Sequence, residues 1–106
     1  METAEKLKLI VDALEDKKGT DIVTIDVQER TSLCEYFVIC SGRSAPQVKA
    51  LCDNVEEKLK KLGVPKLRVD GYSEGRWIAM DYGDIIVHIF QDQQRLFYHL
   101  ERLWQD

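Results

Sequence analysis

The chain has 106 residues, of which 44% are hydrophobic and 32% charged, so we predict one folded domain over residues 1–106 and exclude a disordered chain. The longest uncharged apolar run, residues 36–40, is too short to cross a bilayer, and residues 1–6 resemble neither a signal nor a transit peptide. We therefore expect a cytoplasmic protein with no membrane partner. The net charge of −4 arises within residues 70–106. It excludes dominant direct nucleic-acid binding and suits a basic protein partner.

The first part of the chain predicts a helix and two strands. Residues 4–18 place four apolar side chains at helical spacing, and Gly19 is expected to end the helix. These four are Leu7, Ile10, Val11 and Leu14. Residues 22–27 alternate between apolar and polar, which indicates a half-buried strand. Residues 35–40 are apolar on both faces, which is typical of a strand covered on two sides.

A second helix follows, and its start is marked clearly. Ser44 and Gln47 have the spacing of a capping box, and a proline in the first turn costs little there. Apolar residues recur at helical spacing for four turns. Gly63 is expected to end the helix by taking a left-handed conformation. Residues 67–71 predict a short third strand.

The last part predicts a hairpin and a helix. Residues 76–81 and 84–90 are expected to pair across a two-residue turn at Tyr82-Gly83. Asp92 is expected to cap a last helix. Its apolar stripe consists of Leu96, Phe97, Leu100, Leu103 and Trp104. The element order αββαβββα predicts an α/β fold, more closely an α+β domain with helices packed on a mixed sheet.

The predicted hairpin register places Asp81 opposite Asp84 and Trp77 opposite His88. Like charges in facing positions are unfavourable, so the two aspartates need a nearby amide, a basic partner or a cation. Two carboxylates alone make a poor metal cage, and no metal site is predicted. His88 is either a strand histidine beside Trp77 or a ligand or base. Tyr82 is expected at an exposed turn, either as an interface anchor or in sheet packing.

Two other features have ordinary structural explanations. Cys34, Cys40 and Cys52 form no CxxC pair, which predicts buried free thiols and no cofactor. The segment 41–44, between a buried strand and a helix start, could hold an anion, but it lacks a long glycine-rich pattern. Helix capping explains it fully.

Three strings resemble the Iojap-like ribosomal silencing factor family: residues 35–44, residues 77–90 and residues 95–104. The resemblance covers essentially the whole chain. It implies a compact fold related to nucleotidyltransferases. It also implies binding to the large ribosomal subunit through ribosomal protein fourteen, which blocks joining of the small subunit and represses translation when nutrients are short. Isolated members are often homodimers.

Our first hypothesis is a steric blocker that is not an enzyme and that docks through the acidic, aromatic-containing surface around the segment 70–92. The expected contact residues are Tyr72, Trp77, Asp81, Tyr82 and Asp84. A nucleotidyltransferase-like enzyme is one alternative, but it needs a Gly-Ser turn and a close carboxylate pair for magnesium. Here the turn reads Ser41-Gly42 with no D-x-D after it. A large-subunit assembly factor is the other alternative.

Overall fold

The structure is a computed structural model, and it describes residues 1–93 and 95. This part of the chain contains two long helices and five strands. They are α1 (Thr3–Asp16), β1 (Thr20–Asp26), β2 (Tyr36–Gly42), α2 (Ala45–Lys61), β3 (Arg68–Asp70), β4 (Trp77–Asp81) and β5 (Ile85–Gln91). The predicted order of these seven elements is confirmed. Residues 92, 93 and 95 are helical, where the last helix is predicted to begin, and its apolar stripe from Leu96 to Trp104 lies outside the described residues.

The strands form one mixed sheet in the order β1-β2-β5-β4-β3. β2 and β5 run parallel, and the other neighbouring pairs are antiparallel. β2 is an inner strand, and all of it beyond its first residue is buried. The prediction from its two-sided apolar sequence is therefore confirmed.

Both helices pack on one face of the sheet. Their apolar stripes meet alternate strand residues in a fully buried core that includes Ile10, Leu51 and Val87. The Asn54 amide holds the helices together, because its Nδ2 donates to the Ala13 carbonyl oxygen at 2.8 Å. Among the described residues, α1 and α2 thus form one helical layer on this face.

The opposite face of the sheet, called the second face below, has a smaller apolar cluster. It carries Val23, Ile25, Phe37, Ile39, Ser41, Trp77, Ala79, Asp81, Ile86, His88 and Phe90. Neither α1 nor α2 packs against this cluster. Six of these side chains are buried, and the partly exposed ones are Val23, Trp77, Ala79, Asp81 and Ile86.

The end of α1 differs from the prediction in detail. The helix ends at Asp16, and Lys18, with φ of 62°, takes the left-handed position expected for Gly19. Gly19 is needed for another reason, since a Cβ atom there would overlap the Cys40 sulfur. The glycine thus permits a close approach of the α1–β1 loop to β2.

Gln47 has a wider role than a capping box gives it. Its backbone N–H donates to Ser44 Oγ at 3.3 Å, as predicted. Its side chain, however, accepts from the Arg43 N–H at 2.6 Å and donates to the Lys18 carbonyl at 3.2 Å. One glutamine therefore connects the β2–α2 loop to the α1–β1 loop.

The predicted hairpin register is wrong by two residues. Trp77 pairs with Phe90, and Asp81 pairs with Ile86. Three residues separate the strands, and Gly83 takes a left-handed conformation with φ of 91°. A shift of two leaves each side chain on its predicted face. Asp81 and Asp84 do not face each other, so the expected charge conflict is absent.

Candidate functional site

Trp77 and His88 form a hydrogen-bonded pair on the second face. Trp77 Nε1 donates to His88 Nδ1 at 3.0 Å. Trp77 also stacks on Phe90 with ring centroids 4.9 Å apart, and the Phe37 ring meets the His88 ring edge-on at 5.1 Å. The tryptophan is still half-buried, whereas the histidine is only 8% exposed. Trp77 is therefore both part of the packing and reachable from solvent.

The bonding of His88 fixes its protonation state. Because Nδ1 accepts from Trp77, the neutral ring carries its proton on Nε2, which is buried and has no hydrogen-bond partner among residues 1–93 and 95. Burial lowers the pKa of His88 to about 4. The side chain is therefore neutral at physiological pH and is a poor general acid.

We expect this buried histidine to make the fold sensitive to acid. Its pKa is about 4 when folded and about 6.5 when unfolded, so the unfolded state binds the proton more readily. The contribution of neutral His88 to the free energy of unfolding is complete above pH 6.5 and is lost as the pH falls towards 4. Between pH 7 and pH 5 the free energy of unfolding should fall by about 2 kcal/mol, measured by urea denaturation. His88→Phe should remove most of this fall, and an unchanged pH dependence in the variant would refute the assignment.

Asp81 lies on the second face, near the hairpin turn. Its Oδ1 accepts the backbone N–H of Gly83 at 2.8 Å, so one of the two turn aspartates does bind a nearby amide. Within the described residues, no other hydrogen bond and no ion pair engages the Asp81 carboxylate. Its charge is therefore available to a basic partner.

Asp84 is engaged inside the molecule. It forms a salt bridge with Lys6 at 2.8 Å and accepts the Thr3 hydroxyl at 2.7 Å. Burial raises the pKa of this carboxyl, but hydrogen bonds from Lys6 and Thr3 outweigh it and hold the pKa below its usual value. The carboxylate thus fixes the start of α1 to the hairpin. A charge reversal at Asp84 would damage this contact.

The two tyrosines lie elsewhere. Tyr82 is only 5% exposed and belongs to the core under the helices, so the expectation of an exposed turn residue is wrong. Tyr72 is 40% exposed, but its hydroxyl donates to Asp53 of α2 at 3.0 Å. Its ring also lies near the Lys49 ammonium, 5.7 Å from the ring centroid. Tyr72 therefore lies against α2.

The five expected contact residues thus do not form one surface. Trp77 and Asp81 share the second face of β4, with the half-buried Ala79 between them and Ile86 opposite Asp81. Tyr72, Tyr82 and Asp84 contact α2, the helical core and α1 respectively. A candidate docking surface is therefore centred on Trp77 and Asp81.

The described residues offer little else for catalysis. Cys34, Cys40 and Cys52 are free and buried, as predicted. Burial raises the pKa of Cys40 and of Cys52 to about 12, which makes both thiols poor nucleophiles at neutral pH. Among residues 1–93 and 95, no three His, Cys, Asp or Glu side chains are grouped to hold a metal ion. In the same part of the chain, no helix has the length and apolar character needed to cross a membrane.

One cavity was not anticipated from the sequence. It lies where β2 and β5 end, and it brings together Asp21, Arg43 and Arg95. Only the segment 41–44 gave a signal, and that signal was explained by capping. Arg95 and Asp21 are 74 positions apart in the chain, so no local pattern connects them.

Comparisons with known proteins agree with the resemblance. The family model described as ribosomal silencing factor during starvation matches residues 1–106. A ribosomal silencing factor from Chromobacterium violaceum is 41% identical over 98% of this chain and 85% of its own length. One from Halalkalibacterium halodurans is 35% identical over 100% of this chain and 91% of its own.

A solved structure extends the agreement to the fold. The crystal structure of a Chromobacterium violaceum protein has a TM-score of 0.96 at 41% identity and covers 100% of this chain and 90% of that one. Sequence and fold thus agree over the full length of the chain. The chain belongs to the ribosomal silencing factor family.

Proposed function

We propose that this protein binds the large ribosomal subunit through its ribosomal protein fourteen and sterically blocks joining of the small subunit. The family match over residues 1–106 carries the proposal. The protein then represses translation by occupying a surface and needs no catalysis. When it is free, we expect it to form a homodimer.

The docking surface of this proposal is the part of the second face around Trp77 and Asp81. A half-buried tryptophan is a frequent anchor at protein interfaces, because it buries a large area at little entropic cost. Half-buried Ala79 and Ile86 extend the apolar patch. A stable interface needs about 800 Å² from each partner, which the hairpin and the adjoining sheet edge would have to supply together with this patch.

Charge supports a basic partner for this surface. Residues 70–106 contain seven acidic side chains and three arginines, and Asp81 contributes its charge next to the tryptophan. Proteins bound to ribosomal RNA are generally basic, so complementary potentials would favour docking. Arg68, opposite Asp81 in β3, pairs with Asp70 at 2.9 Å and so leaves Asp81 unpaired.

Subunit joining in a sucrose gradient tests the proposal. Purified large and small subunits are mixed at a magnesium concentration that allows joining, with and without excess protein. We expect free subunits in place of joined ribosomes, and the protein in the large-subunit peak. An unchanged joined peak with the protein at the top of the gradient would refute it. Binding to immature large subunits alone would instead favour the assembly factor.

A further inference from the structure

An open cavity of about 740 Å³ lies at the end of the sheet where β2 and β5 finish, the end that also carries Trp77 on β4. The residues that line it are Thr20, Asp21, Ile22, Val23, Ser41, Arg43, Asp92 and Arg95. Ligand sites in proteins usually have a volume of about 300 to 1,000 Å³ and combine an apolar wall with a few polar groups. Ile22 and Val23 supply such a wall here.

The position of the cavity in the fold is informative. It lies at the carboxyl ends of β2 and β5, the parallel pair of the sheet. From β2 the chain continues into α2 on the helical face, whereas Arg95, after β5, reaches Ser41 on the second face. α2 and the contact between Arg95 and Ser41 therefore lie on opposite faces of the sheet at this end. In α/β sheets, ligands commonly bind beyond the carboxyl ends of parallel strands.

Two arginines give the cavity its cationic side. Arg95 is only 7% exposed, and its Nη1 donates to the Asp21 carbonyl at 2.6 Å and to Ser41 Oγ at 2.8 Å. These contacts fix a charged group deep in the wall. Arg43 is exposed, and within the described residues no acidic side chain pairs with it. A guanidinium matches the geometry of phosphate oxygens.

Two further cations lie on the adjacent loop. Gln47 joins the loop of Lys17 and Lys18 to that of Arg43. Both lysines are exposed, and no ion pair engages either of them in the described part of the chain. The rim next to the cavity is therefore positive.

Two carboxylates, Asp21 and Asp92, line the same cavity as the arginines. Two such groups are too few for a protein-only metal site, in keeping with the lack of a larger group among the described residues. Magnesium, however, is commonly held by one or two carboxylates together with the phosphates of a ligand. Arginines and aspartates on one cavity thus suit a phosphate group that carries its own cation.

We propose that this cavity binds the magnesium complex of a diphosphate group on a small ligand. Arg43 and Arg95 contact the phosphate oxygens, while Asp21 and Asp92 face the cation. Neither Trp77 nor Asp81 is among the residues that line the cavity, so ligand binding there is tested independently of the proposed ribosome docking. Inorganic pyrophosphate and a nucleoside diphosphate share this chemistry.

Isothermal titration calorimetry on the full chain tests the proposal with magnesium pyrophosphate and magnesium ADP as probes. We expect binding of at least one probe, and about a tenfold loss of affinity in Arg43→Gln. Lys60→Gln is the matched control, because it removes one exposed charge at the other end of α2. ADP bound more tightly than pyrophosphate would identify a nucleotide, and equal affinities would identify the diphosphate alone. No heat with either probe, or equal losses in the two variants, would overturn the proposal.

A second variant tests the role of the cation. Asp21 has φ of 49°, and asparagine tolerates this conformation better than most residues. Asp21→Asn should therefore fold normally while losing one carboxylate. Because Asp92 remains, we expect magnesium to increase the affinity for pyrophosphate by a smaller factor in this variant than in the natural protein. The same magnesium effect in both proteins would overturn the assignment of this carboxylate.

Discussion

Asp81→Lys is expected to weaken binding to the large ribosomal subunit by about tenfold or more at low salt, because it places a cation where the basic partner would meet a carboxylate. Asp81→Asn should weaken binding less. The asparagine oxygen can still accept the Gly83 N–H that Asp81 accepts at 2.8 Å, so this variant removes the charge and keeps the turn. Cosedimentation with large subunits across a range of salt concentrations measures both effects.

Asp12→Asn is the matched control for this pair of variants. Asp12 is exposed on α1, in the helical layer, and the same change of one charge there should leave binding unaltered. Raising the salt should also reduce the difference between Asp81→Asn and the natural protein. If Asp81→Asn and Asp81→Lys stay folded and bind large subunits with the same affinity as the natural protein, the docking surface does not include Asp81.

The hairpin shows how far sequence patterns determine this fold. Alternation of apolar residues correctly assigned Ile78 and Met80 to the helical core and Trp77 to the second face. The register depended on the turn, and the sequence Tyr82-Gly83 was compatible with more than one loop length. The structure uses three residues with Gly83 left-handed. An error of two positions preserves faces, so the pattern alone could not detect it.

The candidate site was predictable only in part. Trp77 and Asp81 lie on the same strand, and their shared face follows from a separation of four residues. Asp84 looked equally suitable, but its partner Lys6 is 78 positions away. Tyr82 looked exposed because it lies in a turn, yet it packs into the core beneath the helices. Such long-range contacts decide which charged and aromatic side chains remain available to a partner. The local sequence pattern carries no information about these contacts.

Gly71→Ala is expected to cause the largest loss of stability, about 3 kcal/mol or more in the free energy of unfolding. Gly71 has φ of 82°, and a Cβ atom there would overlap the Trp77 carbonyl oxygen, which belongs to the backbone and cannot rotate away. Relief would require β4 to move, together with the Trp77 side chain that the proposed docking surface needs.

Gly63→Ala separates this overlap from the cost of the backbone conformation alone. Gly63 has nearly the same φ, 78°, but a Cβ atom there has nothing within 4 Å. Its replacement should therefore cost only about 1 kcal/mol, from the left-handed conformation. Urea denaturation of both variants gives the difference, which we attribute to the contact with Trp77. Equal losses would mean that the β3–β4 loop moves freely, and that the position of Trp77 does not depend on Gly71.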